Sequence, residues 1–287
     1  MVTPGYIPPH PSPSRPVTVL PALSCDSHCH IFGPGNIYPY SAKSSYIPPD
    51  APAEALDALH AHLGFERAVV VQASCHGTDN SAMVDGLRTR PNWRGVAILD
   101  GSETDSQLAE MHEVGVRGVR FNFVPRLKAS QPLEARRAIV DRIAKLGWHL
   151  IVYFEPDALP GITQFLRDCP VPVAIDHMGR SPVEEGTEGE SFNRLAELMR
   201  DDKFWVKISG AERLSKSGPP YADVDPIARE LVRMAPDRVL FGTDWPHPNM
   251  ETHSPDDGLL VDRLAAICSG ELLDRVLVRN PGRLYFD

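Results

Sequence analysis

Three consecutive stretches decide the fold: "VRGVRFNFV" at residues 116–124, "EARRAIVDRIAKLG" at 134–147 and "WHLIVYFE" at 148–155. The first and third read as short strands, and the middle one has the spaced apolar residues of an amphipathic helix closed by a glycine. A strand, a helix and a second strand in series form a parallel unit, because the helix carries the chain back to the starting edge.

The unit recurs along the chain. Working outward, "DSHCHIF" precedes "AEALDALHAHLG", "RAVVVQAS" precedes "NSAMVDGLRTR", and "RGVAILDG" precedes "DSQLAEMHEVG". Beyond the opening stretches, "WHLIVYFE" leads to "LPGITQFLRDC", "VPVAIDHMG" to "SFNRLAELMR", "FWVKISGA" to "DPIARELVRMA", and "RVLFGTDW" to "DGLLVDRLAAICS". Eight such pairs predict an α/β protein, a single (β/α)8 TIM barrel spanning residues 23–287. A doubly wound open sheet would carry fewer strands and a Gly-rich first turn. The last amphipathic stretch, "ELLDRVLVRNPGRLYF", is expected to pack beneath or beside the barrel. Residues 1–22 hold seven prolines and are expected to form an extended Pro-rich N-terminal arm, draped over the body or over a partner subunit.

The chain has 287 residues and a formal net charge of -9. No Lys/Arg-rich run of useful length appears, which argues against nucleic acid as a partner, and an anionic substrate would have to be met by local cations. No apolar run approaches the roughly 18 residues of a membrane span. The N-terminus lacks the basic-then-apolar pattern of a secretory signal, so a cytoplasmic protein is expected. The five cysteines are scattered and never spaced C-x-x-C, so buried free thiols are expected rather than disulfides or a zinc ribbon. No oligomeric state follows from these features.

A barrel gathers its chemistry at the C-terminal ends of its strands. Polar residues stand there: His28 and His30, Ser74 and His76, Arg120 and Asn122, Tyr153 and Glu155, Asp176 and His177, Ser209, and Asp244. Strand alternation turns His28 and His30 to one face. It also predicts inward sets of Gly118, Arg120 and Asn122, of Val173, Ile175 and His177, and of Leu240, Gly242 and Asp244. Three imidazoles and one carboxylate thus converge at one pole. They suit either a divalent metal such as zinc or direct acid–base and hydrogen-bond chemistry, against the plainer reading that each His satisfies buried polar groups.

"DSHCH", "DHMGR" and "GTDWPHPN" resemble the motifs of the amidohydrolase superfamily. "HCHIFGP", "QASCHGTDN", "VRFNFVPRL", "VYFEPD", "IDHMGR" and "FGTDWPHPNM", in order from about residue 25 to the C-terminus, are similar to one branch of it, the 2-pyrone-4,6-dicarboxylate lactonases. That resemblance implies a hydrolase opening a ring ester with no required metal. The metal scaffold of the superfamily also reads as incomplete: "VRGVRFNFV" has no lysine, Tyr153 stands at the fifth strand's mouth, and His149 lies roughly 13 Å deeper. A zinc ion, if bound, would take His28, His30, His177 and Asp244.

On this reading Asp244 is the general base for water, and His28, His30 and His177 polarise the carbonyl and stabilise the oxyanion. The resemblance assigns the substrate's carboxylates to Tyr46, Ser74, Arg120, Arg126, Tyr153 and Arg213, with His76, Arg180 and His247 in shared motifs. After the seventh strand the branch carries Cys-Pro-Asp-Arg where this chain has "SGAER". A sulfomuconolactone, with a sulfonate beside a carboxylate, would suit a similar set of arginines. A zinc-dependent decarboxylase of the same superfamily and a barrel that only binds small anions are the rival readings.

Overall fold

The computed structural model describes residues 2–125, 131–250 and 252–287. Strands β1 (Cys25–Cys29), β2 (Arg67–Val71), β3 (Trp93–Ala97), β4 (Val116–Phe123), β5 (His149–Phe154), β6 (Val173–Ile175), β7 (Phe204–Ile208) and β8 (Val239–Phe241) pair in chain order, each parallel to the next. Just past β8 the backbone closes onto β1: Asp244 N donates to His28 O at 2.8 Å and His30 N donates to Trp245 O at 2.7 Å. The expected (β/α)8 barrel is therefore the observed fold.

Helices α1 (Ala53–Leu63), α2 (Ser81–Arg88), α3 (Asp105–Glu113), α4 (Leu133–Ala144), α5 (Leu159–Asp168) and α6 (Glu190–Met199) each follow their strand. A single turn, α7 (Ala211–Leu214), precedes α8 (Asp225–Met234), and β8 is followed by α9 (Asp257–Ile267) and the short α10 (Glu271–Asp274). The spacing read in the sequence explains the packing. In α8, Ile227, Ala228, Leu231 and Val232 are buried while Arg233 pairs with Glu230 on the outer face. Local signals set the ends: α3 starts at a reciprocal capping box between Thr104 and Gln107, and α1 stops at Gly64 with φ 95°.

Two apolar layers result. One lies between sheet and helices and includes Val70, Val119, Phe121, Leu150 and Val152. The other fills the barrel itself with Cys25, Val69, Val71, Val96, Ile151, Ala174, Trp205 and Leu240. Alternation along β2 and β5 divides residues between them. The C-terminal stretch packs beneath: after α10 the chain continues in π-type turns over Arg275–Arg279 and Gly282–Phe286. Tyr285 joins the interior layer from below, edge-on to His149 at 4.8 Å between ring centres.

In β6 the predicted alternation is inverted. Ala174 belongs to the barrel interior, whereas Val173 and Ile175 face the helices. The strand has only three residues, and its short apolar run contains no polar partner to mark a face. Residues 2–22 contain no helix or strand and lie against the body, with Ser14 N bonded to Asp256 Oδ1 at 2.9 Å and Thr18 N to Asp262 Oδ1 at 3.0 Å.

The seam between β8 and β1 leaves no space at Gly242, where a Cβ would lie 2.3 Å from His28 Cβ. Gly242→Ala is expected to destabilise the protein by about 3 kcal/mol through overpacking. Gly161→Ala, in α5 with nothing within 4 Å of the added atom, is expected to stay within about 1 kcal/mol of wild type. Urea unfolding of the two variants checks the contrast.

Candidate active site

The seam places the carboxylate among the imidazoles. Asp244 Oδ1 lies 3.2 Å from His30 Nε2, 3.5 Å from His28 Nε2 and 3.8 Å from His177 Nε2. All four residues are buried. His177 reaches the group despite the inverted alternation of β6, because the chain turns left-handed there, with φ 51° at His177 and 54° at Met178. Asp244 itself has φ 64°. Such backbone conformations cost free energy and concentrate at functional sites. Gly210 makes room, since a Cβ on it would stand 2.8 Å from His177 Nδ1.

The partners of each ring define what it offers. His30 Nδ1 faces the Val71 carbonyl at 2.7 Å, so it donates there, and a neutral ring then presents a bare Nε2 to a carboxylate oxygen. A proton or a cation between those two atoms reconciles them. His177 Nδ1 sits 2.9 Å from Ser209 Oγ. His28 Nδ1 sits 3.0 Å from Lys207 Nζ and 3.1 Å from Asp176 Oδ1. With Ser209 donating, His177 carries Nε2–H toward the pocket, while His28 Nδ1 stands between a donor, Lys207, and an acceptor, Asp176. Burial pushes His28 and His177 down to about 3, so both are neutral at pH 7.

Two guanidiniums pair with two carboxylates. Arg213 Nε bonds Asp244 Oδ2 at 2.6 Å, with Nη2 on the same oxygen, and Arg120 Nε bonds Asp176 Oδ2 at 2.9 Å. Burial alone would raise both carboxyls. Arg213 and then His177 hold Asp244 well below the usual carboxylate range, and His28, Lys207 and Arg120 do the same for Asp176. Burial in turn lowers Lys207, against the pull of Asp176.

These side chains surround a pocket whose lining omits His28, Asp176 and Lys207, all of them buried behind it. Tyr46, Ser74, Arg120, Tyr153 and Arg213 all reach it, with His30, His177 and Asp244. Tyr46 Oη lies 3.2 Å from Ser74 Oγ, and the Arg120 guanidinium stacks 4.9 Å above the Tyr153 ring. Arg180 stands at the rim, bonding Tyr153 Oη at 3.0 Å and Glu155 Oε2 at 2.7 Å.

Two histidines of the shared motifs do not line the pocket. His76 braces the loop after β1, accepting from Gly33 N at 3.1 Å and facing the Pro39 carbonyl at 3.3 Å. His247 is buried behind Arg213, between Glu212 Oε1 at 3.2 Å and Asp257 Oδ1 at 3.1 Å. Arg126 lies outside the described residues. All five cysteines are free and buried, and burial pushes Cys75 up to about 12, which removes it as a nucleophile.

Sequence reasoning passed over Lys207, Glu212 and Asp257, and named Asp176 without a partner. The signal for Lys207 was present: a lysine inside the otherwise apolar run "FWVKI" must find an acid, because an unpaired buried charge is costly.

Zinc can be tested against this donor set. Tetrahedral zinc with ligands at 2.0–2.1 Å holds its donors about 3.4 Å apart, and the separations from Asp244 Oδ1 match. His28 Nε2 also lacks a hydrogen-bond partner among the described residues. Electrostatics oppose the ion, however. Both carboxylates already pair with guanidiniums, and Lys207 adds a third basic group. Of the four donors, His28, His30 and Asp244 alone are close enough together to share a cation, His177 is not grouped with all three, and the surrounding charge opposes a dication.

A sealed barrel with an H-x-H pair, a third histidine and an aspartate at its C-terminal pole defines an amidohydrolase-type site. The family model described as amidohydrolase matches residues 25–286, and the chain belongs to that family. It is 48% identical to a 2-pyrone-4,6-dicarboxylate hydrolase of Comamonas testosteroni over 99% of this chain and 97% of the relative. It is 39% identical to a 4-sulfomuconolactone hydrolase of Hydrogenophaga intermedia over 93% and 90%. A solved structure from Pseudomonas putida, a candidate 2-pyrone-4,6-dicarboxylic acid hydrolase, superposes with a TM-score of 0.79 at 32% identity over 93% of this chain and 98% of that one. Among the described residues, no helix is long and apolar enough to cross a membrane.

Burial opposes the charge on His247, but Asp257 and Glu212 outweigh it and raise the ring to about 10. Its ordinary value is near 6.5. A raised folded-state value gives stability that is fully present below pH 6.5 and is lost as pH rises through 10. His247→Gln is expected to lower the melting temperature at pH 6 and to flatten its decline between pH 6.5 and 10, as measured by thermal unfolding across that range.

Proposed function

We propose that the protein is a lactonase hydrolysing the ring ester of a small anionic lactone, with 2-pyrone-4,6-dicarboxylate as the favoured substrate. The observation that carries the reading is the meeting of one carboxylate and three imidazoles within 3.8 Å, in a pocket that also holds two guanidiniums. The relatives named above support the substrate class. The 4-sulfomuconolactone hydrolase likeness keeps a sulfonated lactone as the second reading, since a sulfonate meets the same arginines.

The substrate's anionic groups bind Arg120 and Arg213 beside the hydroxyls of Tyr46, Ser74 and Tyr153. A water then attacks the lactone carbonyl. Its proton passes into the gap between Asp244 Oδ1 and His30 Nε2, where the geometry calls for one, while its oxygen bonds to the carbonyl carbon. Nε2–H of His177 donates to the oxyanion, as a neutral electrophile rather than an imidazolium ion, with His28 behind it. When the tetrahedral species collapses, the ring C–O bond breaks and the proton goes to the departing enolate oxygen. An enolate leaves more readily than an alkoxide, and this lowers the demand for a Lewis acid.

Arg213 makes free Asp244 a weak base. A substrate anion competes for that guanidinium, so binding itself returns basicity to the carboxylate at the moment it is needed. Arg213 therefore links anion recognition to proton transfer.

The direct test follows loss of the conjugated pyrone absorbance against a panel of pyrone and muconolactone acids. Asp244→Asn is expected to lower kcat by about 10² to 10⁴, the usual contribution of a general base, and near-normal turnover would end the assignment. Arg120→Met is expected to raise KM for a dicarboxylate by about tenfold or more, with an unchanged KM counting against an anion clamp. Dialysis against a chelator, followed by metal analysis, is expected to leave turnover intact. Loss of activity restored by zinc would move the site to the metal-dependent class.

A further inference from the structure

The N-terminal arm packs against Tyr46, a residue of the pocket lining. "TPGY" at residues 3–6 forms a tight turn, with Tyr6 N bonded to Thr3 O at 3.1 Å and Gly5 at φ 77°. Proline followed by glycine at the two central positions is the signature of a type II turn. Thr3 is stitched to the loop that carries Tyr46: Thr3 N donates to Ile47 O at 2.8 Å and Ile47 N donates to Thr3 Oγ1 at 2.7 Å. The turn delivers the Tyr6 ring onto Tyr46, stacked with centroids 6.0 Å apart and planes 19° from parallel. Beyond it, Ser254 Oγ donates to Pro8 O at 3.0 Å. The arm thus bridges the loops that follow β1 and β8, across the seam where the barrel closes.

The Tyr6 hydroxyl is buried and has no hydrogen-bond partner among the described residues. The Asn249 backbone N–H faces the Tyr6 oxygen as a donor, and both Arg213 and Asp244 act on it electrostatically. Tyr46 and Asn249 themselves line the pocket. A buried phenol whose proton meets no acceptor is costly, and both oxygens of the nearby Asp244 already face Arg213 and the imidazoles. What remains for the hydroxyl is an acceptor that arrives with the ligand.

We propose that Tyr6 is a substrate-contacting residue: the arm completes the pocket wall between Tyr46 and Asn249, and the Tyr6 hydroxyl donates a hydrogen bond to an anionic oxygen of the bound lactone. The inference rests on the anionic-lactone reading for the identity of that oxygen. It also makes residues 2–8 part of the specificity apparatus.

Tyr6→Phe removes the hydroxyl and keeps the stack on Tyr46. The expected result is a fall of about tenfold in kcat/KM carried by KM, with an unchanged melting temperature. Calorimetric binding of pyridine-2,4-dicarboxylate, a planar dicarboxylate with no ester to cleave, is expected to weaken by the same factor. Tyr38→Phe, whose exposed hydroxyl bonds Asp85 at 3.0 Å, serves as a control expected to change neither quantity. A wild-type protein that opens no lactone, yet loses dicarboxylate affinity on Tyr6→Phe, would sink the hydrolase reading and uphold this one. Identical KM and Kd in wild type and Tyr6→Phe, or no dicarboxylate binding by either, overturns the role of Tyr6.

Discussion

The site depends on how closely the last strand approaches the first. Asp244 N on His28 O and His30 N on Trp245 O are backbone bonds that close the barrel, and the residues flanking them carry the reactive groups. Because Gly242 has no side chain, β8 can press against His28, and the Asp244 carboxylate falls beside the H-x-H pair instead of a strand's width away. Closure of the fold and assembly of the site are thus one event. A loosened seam would separate base from imidazoles before it exposed much apolar surface.

The eight strand and helix pairs were legible because each declares itself locally, through an apolar run followed by spaced apolar residues and a stop such as Gly64 or Gly147. The pole of the site was legible in part: strand period turns Arg120 inward, whereas β1 shifts register between Asp26 and Cys29, and His30 and Asp244 lie beyond the ends of their strands, Asp244 at φ 64°. His177 shows the limit. Alternation extrapolated through β6 predicts its inward position for the wrong reason, since Ala174 is the inward residue of that strand and a left-handed turn supplies the final direction. No period of two encodes such a turn.

Residue type misled in the other direction at His76 and His247. Both belong to motifs around the site, yet one braces a loop and the other bridges two buried acids. A histidine's partners, which sequence does not display, decide between ligand and girder. Lys207 went unread because it was judged by its strand and not by what burial requires of it. Tyr6 was hidden inside a proline-rich segment whose composition speaks of extension, although its four-residue turn is written plainly in "TPGY".

The same electrostatic balance bears on what the constellation can hold. Asp176 and Asp244 are each engaged by a guanidinium, and Lys207 touches both Asp176 and His28. A dication placed at the four donors would face these fixed positive groups with only the Asp244 carboxylate, already shared with Arg213, to offset it. An anion faces the opposite situation, because whatever negative charge it brings relieves repulsion among Arg120, Arg213 and Lys207. Neutral imidazoles add donors without adding charge, so they can stabilise a developing oxyanion while the arginines remain engaged with the substrate's permanent charges. In the proposed mechanism, recognition and transition-state stabilisation thereby fall to different groups of one pocket, and the substrate's own charge frees the base to act.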